Sequence, residues 1–139
     1  MLHNEQLYFI DYQSGRKGAL QYDVASLLFD ANLTLDNSLR DLLLDHYIDL
    51  ISQQKNINKT EFKDYYFDFA LVRMLQALAA FSHLALDKQK TYFLRNIPLA
   101  LENVATLLQK DCILHDLPEL KRLFVDDLLT NPEINRKGF

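Results

Sequence analysis

Asp11 is the first residue whose position suggests chemistry. It stands at the end of Leu7–Tyr12 (LYFIDY), directly before Gln13-Ser14-Gly15-Arg16-Lys17-Gly18, a stretch that holds two of the chain's three glycines. A carboxylate that ends a strand and faces a glycine-bearing loop can hold Mg²⁺, an ion commonly bound by one or two carboxylates together with substrate phosphates and water. From position alone, a turn-forming aspartate is the commoner case. The loop residues Gln13, Gly15 and Gly18 invite a phosphate-binding reading, but they match neither the Walker spacing nor G-x-G-x-x-G opening a helix. Asp23, just before an apolar helical stripe, is placed to act as an N-cap. The four histidines, His3, His46, His83 and His115, share no spacing with acids that would build a zinc site, and His83 is expected to be a hydrogen-bonded core histidine. Arg73 and Gln76 read as a polar pair satisfied by acids such as Asp68.

Charge and composition narrow the partners. The 139-residue chain has a net charge of −4, and its basic pairs, Arg16/Lys17, Lys121/Arg122 and Arg136/Lys137, are scattered among acids. Nucleic acid is therefore disfavoured, because binding to phosphates requires a concentrated basic field. Cys112 is the only cysteine, which excludes an internal disulfide and fits a reducing, cytoplasmic setting. The longest apolar region, Phe69–Leu86, is interrupted by Arg73, Gln76, Ser82 and His83, so it reads as a buried helix and not as a membrane anchor. Met1-Leu2 runs straight into His3, Asn4, Glu5 and Gln6, and no export leader is expected.

The elements that must position these residues are almost all helical. Leu7–Tyr12 is aromatic and β-branched and too short for a helix, so a strand is expected there, followed by the glycine loop, which should need unusual backbone angles or a close approach. A helix opens at Tyr22-Asp23, with Val24, Leu27 and Leu28 as its inner stripe. A second follows the cap candidates Asp36, Asn37 and Ser38 and runs to about Gln54, with Leu39, Leu43, Tyr47, Leu50 and Ile51 inward. Asn58 and Glu61 have capping-box spacing in front of a long core helix from about Thr60 to Leu86. A short segment over Lys90–Arg95 precedes Pro98, in the first turn of a helix whose inner face is Leu101, Val104, Ala105 and Leu108. Asp116 and Pro118 start the last helix, ending near Leu129. The expectation is a single domain over 1–139: a hairpin remnant and metal-binding loop at 1–22, a helical lobe at 23–130 and a frayed tail at 131–139.

A lone strand among helices leaves its backbone groups unpaired, so the partner strand is expected from elsewhere. His3–Gln6 could form a hairpin turn, with Met1-Leu2 as the stub of a strand that continues upstream. On this reading the chain is cut at its N-terminus, and the exposed strand Leu7–Tyr12 could pair with another copy.

Taken together, Ile10-Asp11-Tyr12-Gln13, then Gly18, then Tyr22-Asp23-Val24-Ala25-Ser26-Leu27-Leu28 resemble a longer pattern. It is the segment I-D-[FY]-Q-x-x-x-x-G-x-x-x-Y-D-[LV]-A-S-L-L of the aminoglycoside phosphotransferase and choline kinase-like family, in its bacterial sugar kinase-like branch. Ala19 departs from the proline common after the glycine, and Tyr12 replaces the more usual phenylalanine. Arg73–Leu78 (RMLQAL) is similar to part of the same family's C-terminal lobe. The resemblance implies a mainly α fold, the helical C-terminal lobe of a protein-kinase-like enzyme with a remnant β-hairpin at its N-terminus. It also implies that Asp11 binds Mg²⁺, as the protein-kinase DFG aspartate does, and that Asp23 supports the catalytic loop. ATP and Mg²⁺ are the cofactors implied for the complete enzyme, and a small, sugar-like hydroxyl acceptor its substrate.

That enzyme would also need an ATP-holding lobe and a loop of the form H-x-D-x-x-x-x-N that carries the general base. The motif does not occur in these 139 residues, and His115-Asp116 has the wrong spacing. The chain on its own is therefore expected to bind no cofactor and to be inactive. The alternative is a non-catalytic helical interaction module derived from the same fold.

Overall fold

A computed structural model describes residues 2–8, 15, 17–31, 33–110 and 117–132, and it is mainly helical. It opens with a hairpin. Strand β1 (Leu2–His3) pairs antiparallel with β2 (Gln6–Leu7), Leu2 opposite Leu7 and His3 opposite Gln6. Asn4 and Glu5 form the turn with φ of 49° and 60°. Positive φ at both central residues matches the twist of a two-residue hairpin; asparagine tolerates it well, glutamate less so. The turn expected at His3–Gln6 is thus present. Within the described residues, the partner of Gln6–Leu7 is the chain's own Leu2–His3. The described part of the second strand is Gln6–Leu7; Phe9–Tyr12 lie outside the described residues.

Helix α1 covers Leu20–Leu28, three residues earlier than Asp23, with Ala19 at its N-cap and no side chain bonded there. Asp23 is therefore not the cap expected from the sequence. It lies in the first turn of α1, where its charge favours the helix dipole without bonding the free N–H groups. Val24, Ala25 and Leu28 are buried, whereas Leu27 is 63% exposed, which corrects its place in the inner stripe.

Helix α2 (Asn37–Ser52) starts where the caps predicted it. Asp36 Oδ1 accepts from Leu39 N at 2.7 Å and from Ser38 Oγ at 2.6 Å. Its inner face differs from expectation: Arg40, Leu44 and Ile48 are buried and Tyr47 half-buried, while Leu39, Leu42, Leu43 and Leu50 face solvent. The helix is turned by roughly one residue, about 100°. Its leucines admit two overlapping stripes, and partners outside the helix choose between them. On one flank Asp45 and Asp49 pair with Lys63 and Lys59 of the next helix at 2.5 and 2.6 Å. On the inner face Arg40 takes its own acceptors.

Helix α3 (Lys59–Ser82) is capped by Asn58, whose Oδ1 accepts from Thr60 N and Glu61 N at 3.1 and 3.3 Å. It continues as a π-helical turn, His83–Asp87. The combined helix is long and apolar enough, by length and composition, to cross a membrane. In the fold, Phe62, Tyr66, Ala70, Leu71, Met74 and Ala77 are buried in a core shared with α1 and α4. His83 is not a core residue: its side chain is more than half exposed, with Nδ1 2.7 Å from Asp87 Oδ2 one turn on. The helix end is closed by Lys90 N donating to Leu84 O at 2.9 Å, with Gln89 at φ 55° in the left-handed position that ends many helices.

A 3₁₀ segment (Thr91–Asn96) leads into α4 (Ile97–Leu108), with Pro98 in its first turn. The expected inner residues Leu101, Val104, Ala105 and Leu108 are buried, and so are Ala100, Asn103 and Leu107, because α4 lies between α3 and the last helical segment. That segment is α5 (Pro118–Lys121) and its π-helical continuation Arg122–Leu128, which adds Phe124 to the core. Asp116 and Glu133–Phe139 lie outside the described residues.

Candidate functional site

The first helix places the site. At its N-terminal end a cavity of about 680 Å³ is bordered by the described glycine-loop residues Gly15, Lys17 and Gly18, by Tyr22 and Asp23 of α1, and by Tyr47, Lys55 and Phe69. A pocket of this size falls within the range of small-molecule sites. Tyr47 ties its walls together: the phenol donates to Leu20 O at 2.9 Å, so α2 holds the first turn of α1 in place. Burial raises the Tyr47 pKa, and the nearby negative charge of Asp23 raises it further. The phenol therefore remains a neutral donor through the physiological range.

Asp23 is exposed and contributes the only carboxylate among the described residues of this lining. Gly18 does not behave as the sequence suggests. A Cβ there would meet nothing within 4 Å among the described residues, and its backbone is not in the left-handed region, so unusual angles do not account for this glycine. Asp11 and Gln13 lie outside the described residues. Among the described residues no three His, Cys, Asp or Glu side chains converge in a way that could hold a metal.

The second face of α1 accounts for Arg73 and Gln76. Arg73 Nε donates to Ser26 Oγ at 3.0 Å, and Tyr22 Oη to Gln76 Oε1 at 3.5 Å. Through these two bonds Arg73 and Gln76 fasten α3 to α1. This steadies the segment that carries both Tyr22 and Asp23.

At the other end of α1, against its last residue, lies a buried arginine that sequence reasoning missed. Arg40 is 7% exposed. Its Nε donates to Leu28 O at 3.0 Å, Nη1 to Asn37 Oδ1 at 3.3 Å and Nη2 to Asn103 Oδ1 at 2.8 Å, and the guanidinium lies 4.4 Å from the centre of the Phe29 ring. Burial holds its pKa below the usual guanidinium value, opposed by Tyr66, Asp36 and Asp41. The Leu28 carbonyl belongs to the last turn of α1, where the helix dipole is negative, so the cation is offset by this dipole and by the amide oxygens of Asn37 and Asn103. Arg40 joins α1, α2 and α4. The available signal was one cation at i, i+4 and i+8 spacing with Leu44 and Ile48. Tyr47 was legible only as part of an apolar stripe, and Lys55 and Phe69 had no local mark of a site. Comparisons of the chain with protein-family models, with curated proteins and with solved structures each return no match.

Proposed function

We propose that this chain is the helical C-terminal lobe of an ATP-dependent phosphotransferase that moves the γ-phosphoryl of ATP to a hydroxyl of a small, sugar-like acceptor. The observation that carries the reading is the order and setting of Asp23. A hairpin and a glycine loop lead into α1, and the carboxylate in the first turn of α1 is exposed at the rim of a ligand-sized cavity without a capping bond. That is the place from which the resemblance has this aspartate support a catalytic loop, as acceptor for the loop's backbone N–H groups. Asp11 would hold Mg²⁺, which when bound offsets the charge of the phosphates. The general base and the ATP lobe must come from residues outside these 139, because phosphoryl transfer depends on several positioned groups acting together.

An ATP-consumption assay tests this on three proteins: this chain, a protein that joins it to the segment encoded directly upstream of Met1, and the Asp11→Asn variant of the longer protein. Turnover is expected only in the second, with a loss of several orders of magnitude on Asp11→Asn. Turnover by this chain alone removes the argument from the absent loop, and a fully active Asp11→Asn variant removes the metal assignment. A non-catalytic interaction module is the second reading, favoured by the exposed apolar hairpin at Leu7 and Tyr8. An upstream segment without H-x-D-x-x-x-x-N would select it.

A further inference from the structure

We infer that the cavity at the start of α1 takes a small ring-bearing molecule that carries a negative charge. The inference rests on the phosphotransferase reading for one point only, that the molecule is the phosphoryl acceptor. Among the described residues of the cavity lining, Lys17 comes from the glycine loop and Lys55 from the turn between α2 and α3, so two cations from separate elements share the lining with one carboxylate, Asp23. Neither lysine takes part in the ion pairs that tie α2 to α3, which use Lys59 and Lys63. The other walls are the rings of Tyr22, Tyr47 and Phe69. Flat rings suit the apolar face of a sugar or a similar ring, and cations select for a carboxylate or phosphate on it. Among the described residues of the lining, two cations stand against one carboxylate, in a protein whose net charge is −4. Scattered surface lysines would follow no such pattern; here two are brought to one concavity by elements about forty residues apart in sequence.

Asp23 connects this pocket with the proposed chemistry. If its carboxylate holds the catalytic loop, the general base lies at the cavity rim, and an acceptor hydroxyl must lie within hydrogen-bond reach of that base. A molecule seated between the lysines and the rings meets this requirement.

The test is direct binding to the 139-residue chain without ATP, by calorimetry or ligand-observed NMR, using D-glucuronate, D-glucose 6-phosphate, D-glucose and D-glucosamine. At low salt at least one anionic sugar is expected to bind roughly ten-fold more tightly than glucose, with glucosamine weakest, and added salt should narrow the difference. Lys17→Gln and Lys55→Gln should each weaken the anionic sugar about five-fold, in keeping with exposed charge pairs. Both lysines are exposed, so these variants keep the fold, which far-ultraviolet circular dichroism verifies. Equal or tighter binding of glucose or glucosamine overturns the inference, and so does anionic-sugar binding indifferent to both lysines. Failure of the ATP assay with anionic-sugar binding intact removes the phosphotransferase reading and leaves the pocket. Turnover on neutral sugars without anionic-sugar binding removes the pocket inference alone.

Discussion

Replacing Arg40 with methionine should destabilise the protein by about 3 kcal/mol, and the loss should depend on Asn103. The substitution keeps most of the buried volume, so cavity formation is a minor part. The larger part comes from acceptors left behind. The Leu28 carbonyl and Asn103 Oδ1, with Asn103 only 3% exposed, lose donors at 3.0 and 2.8 Å. Each buried acceptor without a partner costs about 1–3 kcal/mol, and the relieved desolvation of the guanidinium returns part of the total. Asn103→Leu should cost about 2 kcal/mol, since it leaves Nη2 unsatisfied and gives up the weak contact of Nδ2 with Met74 Sδ at 4.0 Å. In the double variant only the Leu28 carbonyl is stranded, so the combined cost should be about 2–3 kcal/mol and fall short of the sum by about 2. Urea denaturation followed by circular dichroism measures all four proteins; at slopes of about 2 kcal/mol/M the single Arg40 variant moves the midpoint by roughly 1.5 M. Losses that add to within about 0.5 kcal/mol would show that the two side chains do not act as one buried unit.

Further outcomes follow from other residues. Because Asp23 sits inside α1 and does not cap it, Asp23→Ala should shift stability by only about 0.5 kcal/mol, a first-turn dipole effect; a loss well above 1 kcal/mol in the same denaturation would restore the capping role. Hydrogen bonds from Ser38 Oγ and Leu39 N hold the Asp36 carboxyl below its ordinary value, so its contribution is complete above about pH 4 and fades as pH falls through the folded-state value. Asp36→Asn, which keeps an acceptor but does not titrate, should flatten part of the acid limb of a stability profile; an unchanged limb would refute it. Leu7 is 79% exposed on a strand that pairs on one edge only among the described residues, and the chain should sediment as a concentration-dependent mixture that Leu7→Lys shifts towards monomer. A clean monomer across micromolar concentrations counts against that edge as a contact.

The sequence by itself determined the helices, because their signals are local. Asp36 and Asn58 cap where their side chains can reach the N–H groups two and three residues on. Pro98 sits in a first turn that needs no N–H, and α4 carries one dense apolar stripe at Leu101, Val104, Ala105 and Leu108 that only one rotation can bury. The hairpin turn at His3–Gln6 was legible for the same reason. What depended on distant residues was not. Asp23 and Ala19 lie four positions apart in one helix start, and no local rule favoured uncapped alanine over aspartate. The rotation of α2 was left open by leucines on both flanks until Arg40 found Leu28 O and Asn103, and Asp45 and Asp49 found Lys63 and Lys59. His83 had an apolar neighbourhood in sequence but faces solvent, because a helix apolar on many sides shows its buried face only once its neighbours are placed. The cavity belongs to the same class: Asp23 and the glycine loop were visible as a motif, whereas Tyr47, Lys55 and Phe69 join them only when α2 and α3 fold back onto the start of α1. Hydrogen-bonding caps and turns act over a few residues, but the choice of face and the assembly of a pocket are tertiary contacts, and no window of sequence contains them.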